Sequence, residues 1–117
     1  MREIKAFIRR NMADEVVMAL RNAGFVSVSI AHIEGTGKFT TTDAPIFNLP
    51  PIYNKMTKLE IVCKKEDVQH IVEIIHKYGN TGEKGDGMIY VSEVLRVFKI
   101  RTGLESLEDI ERNEKES

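Results

Sequence analysis

Two stretches of this chain run through the same succession of hydrophobic periods, and that repeat limits the architectures open to it. Residues Glu3 to Ile8 alternate as a strand does, and Ala13 to Ala23 carries Val16, Ala19, Leu20 and Ala23 on one side of a helix that Gly24 stops. Phe25 to Ile33 alternates again, with Val26, Val28 and Ile30 set against Ser27 and Ser29. The order then returns: a strand over Lys58 to Cys63, a helix over Glu66 to Tyr78 with Val68, Ile71, Val72 and Ile75 on one face, and a strand over Met88 to Val91. Asn11 is the expected cap of the first helix, with Asp14 favourable in its first turn.

Tandem strand–helix–strand units predict an α+β fold, a ferredoxin-like βαββαβ sandwich in which both helices cover one face of an antiparallel sheet. Val94 to Ile100 is also β-rich and predicts an extension of the sheet at an edge. Nothing in the sequence supplies a second helix layer. If the other face is apolar, it must be buried against further copies of the chain in a symmetric oligomer; if Glu3, Lys5, Ser27, Ser29 and Glu60 dominate it, it faces water.

At 117 residues the chain is one domain, large enough for a modest core without disulfides. Apolar residues make up 42% and charged residues 30%, with a net charge of -1, which argues against disorder, a membrane span or a nucleic-acid-binding field. The opening MREIKAFIRR is too charged for a signal peptide, so a cytoplasmic protein is expected. The single cysteine, Cys63, falls in the alternation of Leu59 and Ile61, where a small buried thiol is the expectation over a reactive nucleophile.

Between the halves lies GTGKFTTTDAPIFNLPPIYNKM, Gly35 to Met56, which holds all three prolines. A connection of about 20 residues inside a compact domain is far beyond the usual length, and such loops are commonly functional. Phe39, Ile46, Phe47, Leu49, Ile52 and Tyr53 give it the character of a docking segment. After residue 103 the chain becomes a polar tail, 104–117, rich in acids.

The chemistry available is that of binding. NTGEKGDGMIYV, Asn80 to Val91, taken alone reads as a tight turn into a strand or as a backbone cradle for an anion. Gly35, Thr36, Gly37 and Lys38 at the end of the second strand, with Lys99 and Arg101 in FKIRTG, add the flexible backbone and the cations that a polyphosphate requires. His32, His70 and His76 do not combine with Cys63 or an acid at metal-ligand spacing, so no metal site is expected. No nucleophile, acid–base or Walker motif occurs, and an enzyme is not expected.

TGEKGDGMIYV with KIRTG downstream resembles the carboxy-terminal signature of the PII signal-transduction proteins, TG..GDGKIFV followed by RIRTGE, and REIKAFIRRNMADEVVMALRNAG resembles the family's first strand and helix. The resemblance covers residues 1 to about 103. It implies a homotrimer whose three sheets face one another, adenine nucleotides in the clefts between subunits, and a long T-loop, here 37–56, that engages a target protein. Carried over, Gly85, Asp86 and Gly87 match the loop that holds phosphates, Lys99 and Arg101 its two arginines, and Gly35, Thr36, Gly37 and Lys38 the base of the T-loop. Ser29 and Val62 fall where the family contacts the adenine and ribose.

Departures from the pattern narrow what is implied. Met88 stands where the family has a phosphate-binding lysine, and Phe39 where it has a glutamine that serves magnesium and 2-oxoglutarate; Lys38 and Lys99 each replace arginine. Loss of one charge-assisted contact to a triphosphate costs about 1.5–3 kcal/mol, or about one to two decades of affinity, so ADP and AMP are expected to be favoured over ATP. No other cofactor is required. With Phe39 in place of the glutamine, the expected co-ligand is a small oxyanion such as bicarbonate, as in the carboxysome-associated members of the superfamily. The alternatives are a nitrogen-metabolism regulator that senses ATP, ADP and 2-oxoglutarate, or a module associated with a membrane transporter or metal efflux. Tyr53 does not align with the tyrosine modified in the nitrogen regulators.

Overall fold

The computed structural model of the chain describes residues 1–35 and 54–105. Strand β1 (Arg2–Arg9) leads through a single 3-10 turn to helix α1 (Ala13–Asn22); β2 (Ser29–Gly35) and β3 (Asn54–Cys63) follow, then α2 (Val68–Gly79) and β4 (Ile89–Glu93). The strands form one sheet in the order β2-β3-β1-β4 with every neighbouring pair antiparallel. This is the interleaved order of a ferredoxin-like βαββαβ unit, in which each helix connects two strands separated by a third.

Strict alternation in β1 decides the sides of the sheet. Ile4, Ala6 and Ile8 are buried beneath the helices, and their cross-strand partners Ile61, Leu59 and Thr57 on β3 are buried with them. Helix α1 contributes Ala13, Val16 and Leu20, and α2 contributes Ile71 and Ile75 at helical spacing. Gly79 ends α2 against β1 and α1, where an added Cβ would lie 3.4 Å from both Ile8 Cγ2 and Val16 Cγ2. Cys63 is fully buried in the same core, in line with the structural reading of that thiol.

Helix α1 ends in a Schellman arrangement. Gly24 takes φ 98°, its amide donates to Arg21 O at 3.0 Å, and the Phe25 amide donates to Leu20 O at 2.9 Å, while the Phe25 and Leu20 side chains are both buried. Its start differs from the sequence expectation: Met12, not Asn11, is the cap, and no side chain bonds the first amides. Asn11 lies inside the 3-10 turn, with Asp14 and Glu15 left to complement the helix dipole. Two further differences concern strands. Phe25 to Val28 are not part of β2, because the chain is still completing the helix cap, and Val94 to Ile100 form no strand.

The uncovered face of the sheet is mixed. Lys58 and Glu60 pair at 2.9 Å, and the hydrogen bond from Lys58 holds the Glu60 carboxyl below the usual carboxylate range. Glu60 stands opposite Lys5, and Lys5 lies 4.0 Å from Glu3. Beside this charged row Phe7 meets Tyr90 edge-on, with centroids 5.8 Å apart. Exposed apolar residues gather instead at β4 and beyond, in Tyr90, Val91, Leu95, Phe98, Ile100 and Leu104, with Leu95 85% exposed.

Because Ile71 is fully buried and Ile30 is half exposed, truncation should separate them. Ile71→Ala should cost about 2–5 kcal/mol in urea unfolding, and Ile30→Ala, opposite Leu59 on the outer strand β2, under about 1 kcal/mol; equal losses would contradict a core that thins out towards β2.

Candidate functional site

The Asn80–Met88 loop connects α2 to β4 and is built around one carboxylate. Asp86 Oδ2 accepts the amides of Thr81 at 2.9 Å and Gly82 at 3.2 Å, and Oδ1 accepts the Thr81 hydroxyl at 2.5 Å and Arg9 Nε at 2.8 Å. Arg9 Nη2 also donates to Lys84 O at 2.7 Å, so the guanidinium holds the loop at two points. Asn80 Oδ1 receives the Gly82 amide at 2.7 Å and starts the turn. The carboxylate charge is thus spent inside the loop, against Arg9.

Glycine is required at two points of this loop for different reasons. Gly85 takes φ 95°, which side-chain-bearing residues rarely adopt. Gly87 lies directly on β1: a Cβ there would be 1.6 Å from Phe7 O and 3.1 Å from Met56 Cε. Immediately after it, Met88 O accepts the Phe7 amide at 2.8 Å, and pairing with β4 begins. The Met88 side chain is exposed, so the position that lacks a cation presents a thioether to solvent.

The predicted site residues fall at two ends of the sheet. Gly35, Gly85, Asp86, Gly87 and Met88 lie at the end where β1 finishes and β3 begins, since Gly35 pairs with Asn54 and Arg9 with Met56. Ser29, exposed at the start of β2, stands opposite Glu60, and Val62, half-buried on β3, stands opposite Glu3; both are displaced towards the other end. Lys99 and Arg101 follow β4 out of that other end, where the Val94 amide bonds Met1 O. They occupy a turn closed by Gly103 N to Lys99 O at 2.8 Å and Lys99 N to Leu104 O at 3.0 Å, beside the Arg96–Glu105 ion pair at 2.9 Å. Thr36, Gly37, Lys38, Phe39 and Tyr53, and the tail from residue 106, lie outside the described residues.

Three cations at the glycine-loop end escaped the sequence reading. Arg9, Arg10 and Lys55 line an open cavity of about 380 Å³ with Asn11 and Met56. Arg10 Nη2 donates to Ile33 O at 3.1 Å and Met56 O at 3.4 Å, while its Nε is buried with no hydrogen-bond partner among the described residues. The consecutive arginines at the end of β1 were a visible signal, but the partners of Arg9 are 75 and 77 positions away. The histidines do not form a site: His32 Nδ1 contacts Thr57 Oγ1 at 3.1 Å, His70 packs edge-on against Phe25, and His76 meets Asn80. Among the described residues no cluster of His, Cys, Asp or Glu could hold a metal ion, and no helix is long and apolar enough to cross a membrane.

Partial burial pushes the Asp86 carboxyl up, but the hydrogen bonds from the Thr81 hydroxyl, Arg9 and the Thr81 amide, together with the Arg9 charge, outweigh it and hold the group below the usual carboxylate range. A lowered folded-state value means that the loop's stabilisation is complete above the ordinary aspartate range and is lost as pH falls through the lowered one. Asp86→Asn should therefore lower stability at neutral pH and flatten the acid limb of the stability–pH curve; an unchanged acid limb would remove Asp86 from that role.

The profile described as Nitrogen regulatory protein P-II matches residues 1–104. Among curated relatives, Nitrogen regulatory protein P-II 2 of Methanothermobacter thermautotrophicus is 39% identical over 110 residues, covering 88% of this chain and 91% of its own length. Nitrogen regulatory protein P-II of Microchaete diplosiphon is 35% identical over 112 residues, and that of Rhizobium meliloti 31% over 117, each covering 94% of this chain and 100% of its own. With a four-stranded antiparallel sheet, two helices on one face and a braced GDG loop entering β4, the chain belongs to the family of P-II nitrogen regulatory proteins.

Proposed function

We propose that this P-II family member is a regulatory signalling protein, not an enzyme, that binds adenine nucleotides between the subunits of a homotrimer, with ADP or AMP favoured over ATP, and thereby controls a target protein through the segment 37–56. The observation that carries the reading is the glycine loop: Gly87 seated on the Phe7 carbonyl and Asp86 neutralised by Arg9 leave a rigid backbone turn suited to phosphate oxygens. Gly35 lies at the same end, and Thr36, Gly37 and Lys38 continue from it in sequence. Lys99 and Arg101 leave the opposite end of β4, a strand of five residues, about 17 Å long. A cleft that uses both sets draws them from two copies. The apolar side chains exposed along β4 and residues 95–104 support the same assembly.

Met88 sets the nucleotide preference in this reading. Without an ammonium group there, the outermost phosphate of ATP loses a charge-assisted contact that shorter nucleotides need less. A small oxyanion such as bicarbonate would find its charge matched over Arg10 and Lys55, Arg9 being engaged by Asp86. A second reading, in which the chain senses ATP, ADP and 2-oxoglutarate in nitrogen metabolism, is favoured by the names of the relatives; titration with each acid beside the nucleotide separates the two. The target, whether a membrane transporter or another protein, would meet the 37–56 segment.

Calorimetry should show AMP and ADP binding more tightly than ATP, and Met88→Lys should raise ATP affinity relative to AMP by about 10- to 100-fold. An unchanged ratio would remove Met88 from this role, and no binding of any adenine nucleotide at millimolar concentration would end the nucleotide reading. Sedimentation should give a species of three times 13.3 kDa; a monomer at all concentrations would leave the proposed cleft without its second wall.

A further inference from the structure

We propose that Arg9 and Arg10 together are a positioning element that joins the glycine loop to the facing ends of β2 and β3, so that the conformation of one and the spacing of the other are set as a unit. The pair rests on geometry alone, while its value as a regulatory link rests on the nucleotide reading above.

Arg9 belongs to the loop. Its Nε bonds Asp86 at 2.8 Å and its Nη2 bonds Lys84 O at 2.7 Å. Arg10 belongs to the other side: Nη2 lies 3.1 Å from Ile33 O and 3.4 Å from Met56 O, and Ile33 and Met56 are cross-strand partners on β2 and β3. One guanidinium therefore grips the turn before β4, and the next spans two strands at the point just before the chain leaves β2 and just after it enters β3. Arg9 is also the last β1 residue paired with β3, opposite Met56, so a backbone shift that follows the loop reaches the residue whose carbonyl Arg10 holds. Met56 closes the circuit, because its Cε is the side-chain atom that a Cβ at Gly87 would meet at 3.1 Å.

The Arg10 end is held less securely than the Arg9 end. Among the described residues its Nε is buried without an acceptor, and its longer contact of 3.4 Å is a weak one. A small displacement can thus exchange these bonds for others, as a two-state coupling element requires. Both bonds leave the single nitrogen Nη2, whose direction the planar guanidinium fixes; a lysine ammonium on a flexible stem offers donors without that fixed direction.

Hydrogen exchange on the full chain without nucleotide tests the coupling, with peptides over 29–35, 54–60 and 80–88. Asp86→Asn, which loosens Arg9, should speed exchange at the β2 and β3 ends by about threefold or more, the lower range for residues in one network. In an Arg10→Met background the same substitution should add little there while still loosening 80–88. Reciprocally, Arg10→Met should speed exchange in 80–88, and Arg10→Lys should restore it only partly. Thr81→Val, which removes one donor from Asp86, gives the milder variant should Asp86→Asn unfold the chain. Equal effects of the loop substitution in both Arg10 backgrounds, or a loosened loop with unchanged strand ends, would overturn the inference. A failure of nucleotide binding would leave this result untouched, so the two readings fail separately.

Discussion

Both hydrogen-bonding edges of β1 are occupied, by β3 on one side and β4 on the other, and the rest of the molecule takes its position from that strand. Its buried side chains, Ile4, Ala6 and Ile8, give α1 and α2 a surface to cover. Gly79 is small where α2 meets Ile8 and Val16, so that helix is not held off the sheet. At its end the same strand offers the Phe7 carbonyl to Gly87 and the Arg9 side chain to Asp86. A loop built this way takes its position from the core strand.

The chemistry of the loop rests on a charge directed inward. Four hydrogen-bond donors converge on Asp86, three from residues 81 and 82 and one from Arg9. Such a carboxylate shapes the turn, and its charge is matched within the chain by Arg9. Arg10 and Lys55 line the cavity at that end beside the Arg9–Asp86 pair and set the sign of the local field. Met88 interrupts that field on the solvent side, where a thioether offers contact area but no charge.

Two surfaces of the molecule differ in what they can meet. The uncovered sheet face carries charges already paired within the chain, Lys58 with Glu60 and Lys5 near Glu3, so it can approach another such face without leaving ions unmatched. Beyond β4 the chain shows Leu95, Ile100 and Leu104 to solvent with little of its own structure behind them, held in shape by Arg96, which pairs with Glu105 and stacks over Phe98. Exposure of that kind is costly for an isolated chain and is relieved when a second surface covers it.

Much of the fold was legible because it is written in local periods. Alternation identified β1, β3 and β4, helical spacing identified α1 and α2, and Gly24 marked the helix end where a left-handed residue was needed. Local signals misled where two roles overlapped: Val26 and Val28 alternate like a strand, but Phe25 is bound to the α1 cap and the strand starts only at Ser29. Val94 to Ile100 has the composition of a strand, yet a strand needs a partner edge, and pairing with β1 stops at Glu93 opposite Arg2. The sequence by itself determined the elements, the helix-side core and the positions of the glycines. Only the tertiary structure decided that Asp86 is turned inward against Arg9, that Gly87 must be bare because it lies on a carbonyl 80 residues earlier, and that Arg10 ties two strands together. Those facts are contacts between distant parts of the chain, and no local pattern of residues encodes a distance across the sheet.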